Sequence, residues 1–176
     1  MKRYHPALVT LHWLLALMII TALIMGGAVM AEIPNSNPEK IDALKGHMSF
    51  GIIILSLMII RLVVRFFTAK PPADDAGNAT LNKIGVATHY AFYVVVILMA
   101  LSGMATSIMA GLPDIVFGGS GAPLPETFNN LPPRIAHGIL GALLGLLICA
   151  HIGAALFHQF IRKDNLFSRM WFGKRG

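Results

Sequence analysis

Histidines recur within the long apolar segments of this sequence, at positions that suggest metal chemistry. They are His12, His47, His89, His137, His151 and His158. An ionisable side chain inside a membrane span costs about 3 kcal/mol, so several of them imply a functional role. His137 and His151 are 14 residues apart, which is close to four helical turns and would place both rings on one face, about 21 Å apart. Neutral imidazole is a ligand of haem iron, and this spacing suits two irons stacked across a membrane.

The segments that must position these histidines are long enough to cross a membrane. Of 176 residues, 56% are hydrophobic and only 12% are charged, unlike an ordinary soluble domain. We predict an all-α fold, an integral membrane four-helix bundle that forms one domain over residues 1–176. Its helices are expected at about 7–31, 45–67, 86–110 and 134–160. The first is too long and too polar at His12 for a signal peptide. The loop 111–133, rich in Gly and Pro, is expected to lack regular structure.

Charge is distributed unevenly between the two sides of the predicted bundle. Eleven of the 14 Lys and Arg fall on one side, namely Lys2, Arg3, Arg61, Arg65, Lys70, Lys83, Arg162, Lys163, Arg169, Lys174 and Arg175. The other side holds Lys40, Lys45 and Arg134 beside five acidic residues, Glu32, Glu39, Asp42, Asp114 and Glu126. By the positive-inside rule, both termini are expected in the cytoplasm. The net charge of +6 therefore indicates topology, and no nucleic-acid partner is expected.

The predicted topology sorts the histidines into two levels. His47 and His137 would lie near the outer side, whereas His12, His89 and His151 would lie near the inner side. The pattern predicts His47 with His137 as one pair, and His12 with His151 or His89 as the other. Two axial imidazoles leave no open position on a haem iron, which favours electron transfer over oxygen binding. A transition-metal cluster would need three or four ligands converging at one level. The division of the histidines between two levels therefore favours two haems over such a cluster.

The same step of 14 residues from other histidines reaches further candidates for a haem environment. From His47 it reaches Arg61, whose guanidinium would bind a haem propionate in a bidentate way. From the histidines of the first and third segments it reaches Gly26 and Gly103, where a flat macrocycle would approach the backbone. Arg65, one turn beyond Arg61, is expected to extend to the membrane interface instead.

Two more glycines lie one turn from the outer histidines. Gly51 follows His47 and Gly141 follows His137, on the same helical faces, so both are predicted to contact a haem. Gly141 also forms a GxxxG pair with Gly145, which would let two membrane helices approach closely. Both roles of Gly141 stay open.

Four stretches of the sequence match a known family. They are LHWLLAL at 11–17, GHMSFGIIILSLMIIRLVVR at 46–65, THYAFY at 88–93, and the run from HGILG at 137 through AHIGAALFHQFIRKDNLFSRM at 150–170. On these motifs the chain resembles the bacterial di-haem cytochrome b561 family along essentially its whole length. The resemblance implies a four-helix protein of the bacterial inner (cytoplasmic) membrane that holds two b-type haems.

The resemblance also implies a ligand set. His12 and His151 would bind the inner haem iron, and His47 and His137 the outer one. A similar arrangement in the cytochrome subunits of membrane formate dehydrogenases favours His12 over His89 at the inner level. His89 would then bind no iron and is a candidate for binding quinone or a haem propionate.

His158 would likewise bind no iron and is a second candidate for quinone or propionate. The family includes superoxide oxidases, so the resemblance implies electron transfer from periplasmic superoxide to ubiquinone or another quinone in the lipid. Electrons would enter near Lys45 and Arg134, close to the outer histidines. The outer loops nevertheless carry more acidic than basic residues, which opposes the attraction of an anion.

Three classes of function therefore stay open. The first is an autonomous superoxide:ubiquinone oxidoreductase. The second is an electron-transfer cytochrome b subunit, or a partner of a periplasmic dehydrogenase or cytochrome that docks on the loop 111–133. The third is a membrane scaffold without haem.

Overall fold

Four long helices make up most of the computed structural model, which describes residues 3–69, 71, 78–164 and 166–173. They are α1 (Pro6–Ile24), α2 (Glu39–Phe67), α3 (Ala79–Met109) and α4 (Pro132–Leu156). No strand occurs among the described residues. Each helix, with its terminal turns, is long and apolar enough to span a membrane. The predicted all-α, four-helix class is therefore confirmed, whereas the single domain over residues 1–176 stays a prediction.

The side of the membrane on which the termini lie also stays a prediction. Four of the basic residues behind it, Lys2, Lys70, Lys174 and Arg175, lie outside the described residues. We use "outer end" for the end of the bundle that carries His47 and His137. The "inner end" is the opposite end, which carries His12 and His151.

The helices extend beyond their apolar segments. A π-helical turn, Met25–Val29, and a 3-10 turn, Met30–Glu32, continue α1, and a π-helical turn, Phe157–Arg162, continues α4. The predicted beginnings of the second and third helices, at 45 and 86, are wrong, because α2 begins at Glu39 and α3 at Ala79. Polar first turns support both extensions. The side chain of Asn78, for example, accepts a hydrogen bond from the Thr80 N–H at 2.8 Å and caps α3.

The bundle buries its apolar side chains along the middle of the helices. The main core comprises Leu15, Ile19, Ile54, Met58, Tyr93, Val95, Val96 and Leu144. Many large apolar side chains point outward, such as Leu17, Leu146 and Ile161, which are 67%, 70% and 71% exposed. A surface of this kind suits contact with lipid rather than water. The most extensive helix contacts are those of α3 with α4, α1 with α2, and α2 with α3.

The connection between α3 and α4 contains regular structure, contrary to expectation. Pro113–Phe117 forms a π-helical turn. Leu112 and Val116 are buried there against Leu44 of α2. The prediction failed because it weighed the Gly and Pro content of the loop and not this short apolar stretch, which packs on the outer end of α2.

A buried lysine closes the outer end of the first span. Lys40 is 5% exposed, and its ammonium group donates to the carbonyl oxygens of Met30 and Ile33 at 2.6 and 2.8 Å. A cation at the carboxyl end of a helix satisfies free carbonyls and matches the helix dipole. Lys40 is thus a structural residue and adds little to the exposed charge of the outer end.

The N-terminal and C-terminal segments meet at the inner end. The indole N–H of Trp13 donates to the Met170 carbonyl at 2.8 Å. Its ring packs edge-on against Phe167 and Trp171, with ring centres 5.8 and 5.5 Å away. The Arg3 guanidinium also donates to the Trp171 carbonyl. These contacts fix the start of α1, which carries His12, to the last described segment.

Candidate functional site

Two histidines face each other at the outer end. His47 of α2 and His137 of α4 have ring centres 6.1 Å apart and an interplanar angle of 80°. Two imidazoles that bind one metal ion from opposite sides, with metal–nitrogen bonds of about 2 Å, have ring centres roughly 6 Å apart. The structure therefore brings this predicted pair together at a spacing that suits a single metal ion.

The tautomer of His137 is fixed by the backbone. Its Nδ1 lies 2.9 Å from the Met99 carbonyl oxygen and 3.2 Å from Ser102 Oγ. Because the Ser102 hydroxyl itself donates to the same carbonyl, Nδ1 must carry the proton. Nε2 is then the unprotonated nitrogen, as a metal ligand requires, and metal-binding histidines commonly make such a second hydrogen bond. Nδ1 of His47 is buried and has no hydrogen-bond partner.

Glycines of two neighbouring helices make room for these rings. A Cβ at Gly26 would lie 2.8 Å from Cε1 of His47, and a Cβ at Gly103 would lie 3.1 Å from Cε1 of His137. Both glycines therefore accommodate the imidazoles themselves, a role that the sequence analysis missed. Their predicted contact with a macrocycle stays a prediction.

The two other candidate glycines differ in their surroundings. Gly51 lines a cavity of about 60 Å³ together with His47 and His137, and the remaining walls are apolar. A Cβ at Gly141 would lie 3.4 Å from Cε of Met99, whereas nothing lies within 4 Å at Gly145. Gly51 thus borders the outer pair directly, and Gly141 permits a close contact with α3.

Three histidines meet at the inner end. The ring of His151 on α4 lies 6.2 Å from that of His12 on α1 and 5.7 Å from that of His89 on α3. Phe92 also packs edge-on against His151 at 5.3 Å. The structure therefore supports both alternatives for the inner pair, since each partner is close enough to share a metal ion with His151.

Arg61 lies at the inner level, as its spacing from His47 predicts. Its Nη1 donates to the Tyr93 hydroxyl at 2.6 Å, and its charge interacts with His12, His89 and His151. Within the described part of the chain, no group of three or more His, Cys, Asp or Glu side chains is arranged to hold a metal ion.

His158 forms a hydrogen-bonded pair with Asp164 that the sequence analysis missed. Its Nδ1 lies 2.6 Å from Oδ2 of Asp164, and Nε of Arg162 lies 3.4 Å from the same oxygen. Burial would raise the pKa of Asp164, but the hydrogen bond from His158, together with the Leu166 N–H and the charge of Arg162, holds it below its ordinary value. The left-handed backbone of Lys163, with φ of 56°, turns the chain so that this contact forms.

Charge at the outer end is predominantly acidic. Lys45 is exposed and Arg134 is half-buried, and Arg134 interacts electrostatically with His47 and His137. The five acidic residues of the outer end, Glu32, Glu39, Asp42, Asp114 and Glu126, are all exposed.

Comparisons with known proteins identify the family. A family model described as "Prokaryotic cytochrome b561" matches residues 3–173. The chain belongs to the prokaryotic cytochrome b561 family. This confirms the predicted family, which consists of membrane electron-transfer proteins of oxidoreductase type and implies b-type haem. The four apolar helices accordingly belong to a multi-pass bacterial membrane protein.

Individual cytochromes are similar to this one over nearly their full length. "Cytochrome b561 homolog 1" of Escherichia coli (strain K12) is 27% identical over 172 residues, which are 97% of each chain. "Probable superoxide oxidase CybB" of Yersinia pestis is 27% identical over 177 residues, 99% of each chain. "Cytochrome b562" of Cereibacter sphaeroides is 25% identical over 166 residues, 92% of this chain and 90% of that one.

The residues of this cytochrome fit b-type haem. The pairs His47–His137 and His12–His151 are carried by α2–α4 and α1–α4, which are not among the most extensive helix contacts of the described residues. A flat group would therefore lie between helices that contact each other less than the neighbouring helix pairs do. The fixed tautomer of His137 and the buried, unpartnered Nδ1 of His47 agree with this.

Proposed function

We propose that this cytochrome b561 binds two b-type haems and moves electrons across the bacterial inner membrane, with both termini in the cytoplasm. His47 and His137 bind the outer haem iron, and His12 and His151 the inner one. One observation carries the proposal, the presence of two facing imidazole pairs with ring centres 6.1 and 6.2 Å apart. The two pairs are separated by 14 residues of α4, about 21 Å along its axis.

The protein's own residues set the conditions for electron transfer. Bound haem supplies one-electron chemistry. If two imidazoles bind each iron, as proposed for His47 with His137 and for His12 with His151, oxygen would have no free position on it. The Met99 carbonyl holds the His137 ring in one tautomer. Gly51 borders the cavity between His47 and His137, the contact of Gly141 with a haem stays a prediction, and Arg61 supplies a cation at the inner level.

Superoxide is the donor that we propose first, and a quinone in the lipid is the acceptor. Support comes from the similarity to the Yersinia protein named a probable superoxide oxidase. Each superoxide gives up one electron and leaves as dioxygen, near Lys45 and Arg134. A quinone takes two electrons and two protons to become a quinol, so two superoxide ions are consumed per quinone, and ubiquinone is the expected acceptor.

Quinone reduction requires a proton donor, which we place at the inner end. His158 is half-buried, and Asp164 would balance its charge when it is protonated. The second ring N–H of protonated His158 is then free to donate to a quinone oxygen. His89 is the alternative donor, because it contacts His151 and would not bind iron.

A second candidate donor is a basic redox protein outside the membrane. It is favoured by the five exposed acidic residues of the outer end and by the burial of Lys40, which leaves little exposed positive charge there. Such a surface attracts a cationic partner and repels superoxide. The partner would dock on the loop 111–133.

Spectroscopy and kinetics on the purified cytochrome test these proposals. A reduced-minus-oxidised spectrum with haem analysis should give two b-type haems per chain, and a chain that binds no haem would end both donor hypotheses and favour a scaffold. Superoxide generated enzymatically should then reduce the haems without any other protein. If it fails to do so while a basic cytochrome succeeds, the donor is a redox partner.

A further inference from the structure

Two arginines on α2 pack against one tyrosine of α3. Nη1 of Arg61 donates to the Tyr93 hydroxyl at 2.6 Å, and its Cζ lies 5.4 Å from the centre of the Tyr93 ring. Cζ of Arg65 lies 6.0 Å from the same ring and 5.5 Å from that of Tyr90. Tyr93 is 4% exposed, so its position is fixed by the core of the bundle.

Both guanidinium groups retain unused donors in a buried place. Nε of Arg61 and Nε of Arg65 are buried and have no hydrogen-bond partner. Among residues 3–69, 71, 78–164 and 166–173, neither arginine forms an ion pair with a carboxylate. Like charges one helical turn apart repel each other, and buried cations inside a membrane protein require a counter-ion. The pair therefore needs an anion that the described part of the chain does not supply.

The place of this anion is defined by the inner histidines. The charge of Arg61 acts on His12, His89 and His151, and the charge of Arg65 acts on His89. The free donors consequently lie at the level of the inner pair, within the bundle. A planar guanidinium binds a carboxylate through two parallel hydrogen bonds, which makes carboxylate the best-matched anion.

We infer that Arg61 and Arg65 form a binding site for the two propionate carboxylates of the inner haem, and that Tyr93 is the residue that positions both arginines. This inference rests on the proposed binding of haem and adds two residues to the site. Arg65 becomes a ligand of the cofactor rather than an interfacial anchor. Tyr93 fixes Arg61 by a hydrogen bond and both guanidiniums by its ring, so that their remaining N–H groups stay directed at the two carboxylates.

Haem release tests the site without relying on enzyme activity. The full-length cytochrome in detergent is loaded with protohaem or with its dimethyl ester, which lacks free carboxylates. Transfer to an excess of a haem-scavenging protein is then followed by absorbance. The variants are Tyr93→Phe, Arg65→Gln and, as matched control, Tyr90→Phe, since no hydrogen bond joins the Tyr90 hydroxyl to either arginine in the described structure.

The expected result depends on the form of haem. With protohaem, Tyr93→Phe and Arg65→Gln should release one of the two haems about tenfold faster, as expected for a lost charged hydrogen bond, while Tyr90→Phe releases both at the wild-type rate. With the dimethyl ester, all four proteins should lose that haem at the same, faster rate.

Two results would overturn the inference. Equal acceleration with protohaem and with the ester would show that Tyr93 only supports the fold. An absence of any acceleration would show that the arginines bind another anion, such as a lipid phosphate. A wild-type chain that takes up no haem at all refutes the proposed function as well, and this is recognised before any variant is made.

Discussion

The two ends of the bundle hold their histidines in different ways. At the outer end, two rings face each other, one is fixed by a backbone carbonyl, and glycines of α3 and of the π-helical turn after α1 leave just enough space for them. At the inner end, His151 has two histidine neighbours, His12 and His89, and the arginine cluster of α2 lies beside them.

The outer end thus has a single arrangement of its histidines, whereas the inner end allows more than one. The outer pair offers one arrangement and few polar groups, which suits passage of an electron alone. The inner end combines a surplus imidazole, two cations and, beyond the end of α4, the His158–Asp164 pair. Because reducing a quinone needs protons as well as electrons, the inner end, with its surplus imidazole and the His158–Asp164 pair, is the end that we propose for that reaction.

Removing an outer ligand should have the largest effect. His137→Ala leaves His47 without a partner, since the described structure places no third histidine at that level. We expect the haem content to fall from two to one per chain, measured by pyridine haemochrome analysis and confirmed by loss of one component in a redox titration. Retention of both haems would show that His137 is not an axial ligand.

Substitutions at the inner end should distinguish the histidine that binds iron with His151 from the histidine that only lies beside it. His12→Ala is expected to abolish the inner haem, whereas His89→Ala should keep two haems and shift the spectrum only slightly. Haem counting on both variants decides between them. If His89→Ala loses a haem that His12→Ala retains, then His89 is the partner of His151 and the assignment must be exchanged.

The tight fit at the outer end predicts a sharp contrast between adjacent glycines. Gly26→Ala would place a methyl group 2.8 Å from Cε1 of His47, whereas nothing lies within 4 Å at Gly27. Overpacking of this kind costs about 1–3 kcal/mol, so Gly26→Ala should weaken binding of the outer haem by roughly tenfold or more, measured by its release rate. Gly27→Ala in the same turn is the control, and equal behaviour of the two variants would contradict the geometry.

We expect His158 to donate protons to quinone and not to bind iron. His158→Ala is expected to slow quinone reduction by about tenfold or more, as for loss of a general acid, while the haem spectrum stays unchanged. The rate of quinone reduction is measured in the steady state with a soluble ubiquinone analogue, and the haem environment is followed by the visible spectrum. A large spectral loss would instead assign His158 to the haem environment.

The ion pair of Asp164 should give the smallest effect. Because its pKa in the folded protein lies below that of the unfolded chain, its contribution to stability is present above about pH 4 and is lost as the pH falls further. A pair at a partly exposed site contributes at most about 1 kcal/mol. The midpoint temperature of thermal unfolding should therefore vary slightly less between pH 3 and 7 in Asp164→Asn than in the unmodified protein. The same pH profile in both proteins would argue against the pair.

Sequence periodicity predicted the bundle and its histidine levels because both follow from helix geometry. The step from His137 to His151 is set within one helix, and apolar length determines where a span lies. The same reasoning placed the beginnings of α2 and α3 too late. Hydropathy marks the hydrocarbon core, whereas Glu39 and Ala79 begin helical turns that extend into the polar region.

Contacts between helices could not be read from the sequence. The packing of Gly26 on His47, and that of Arg65 on Tyr93, depend on how α1, α2 and α3 are rotated about their axes. The pairing of His158 with Asp164 depends on one left-handed residue, Lys163, that reverses the chain. The choice between His12 and His89 is left open by periodicity and by the fold alike, because both rings approach His151.

The bond between Trp13 and Met170 links residues 157 positions apart. During synthesis, the first span enters the lipid long before the segment that fixes its start has left the ribosome. The carbonyl that accepts from Trp13 is therefore available to α1 only after Met170 has been synthesised. Because His12 lies one residue before Trp13, we expect its position at the inner end to become fixed only after this long-range contact has formed.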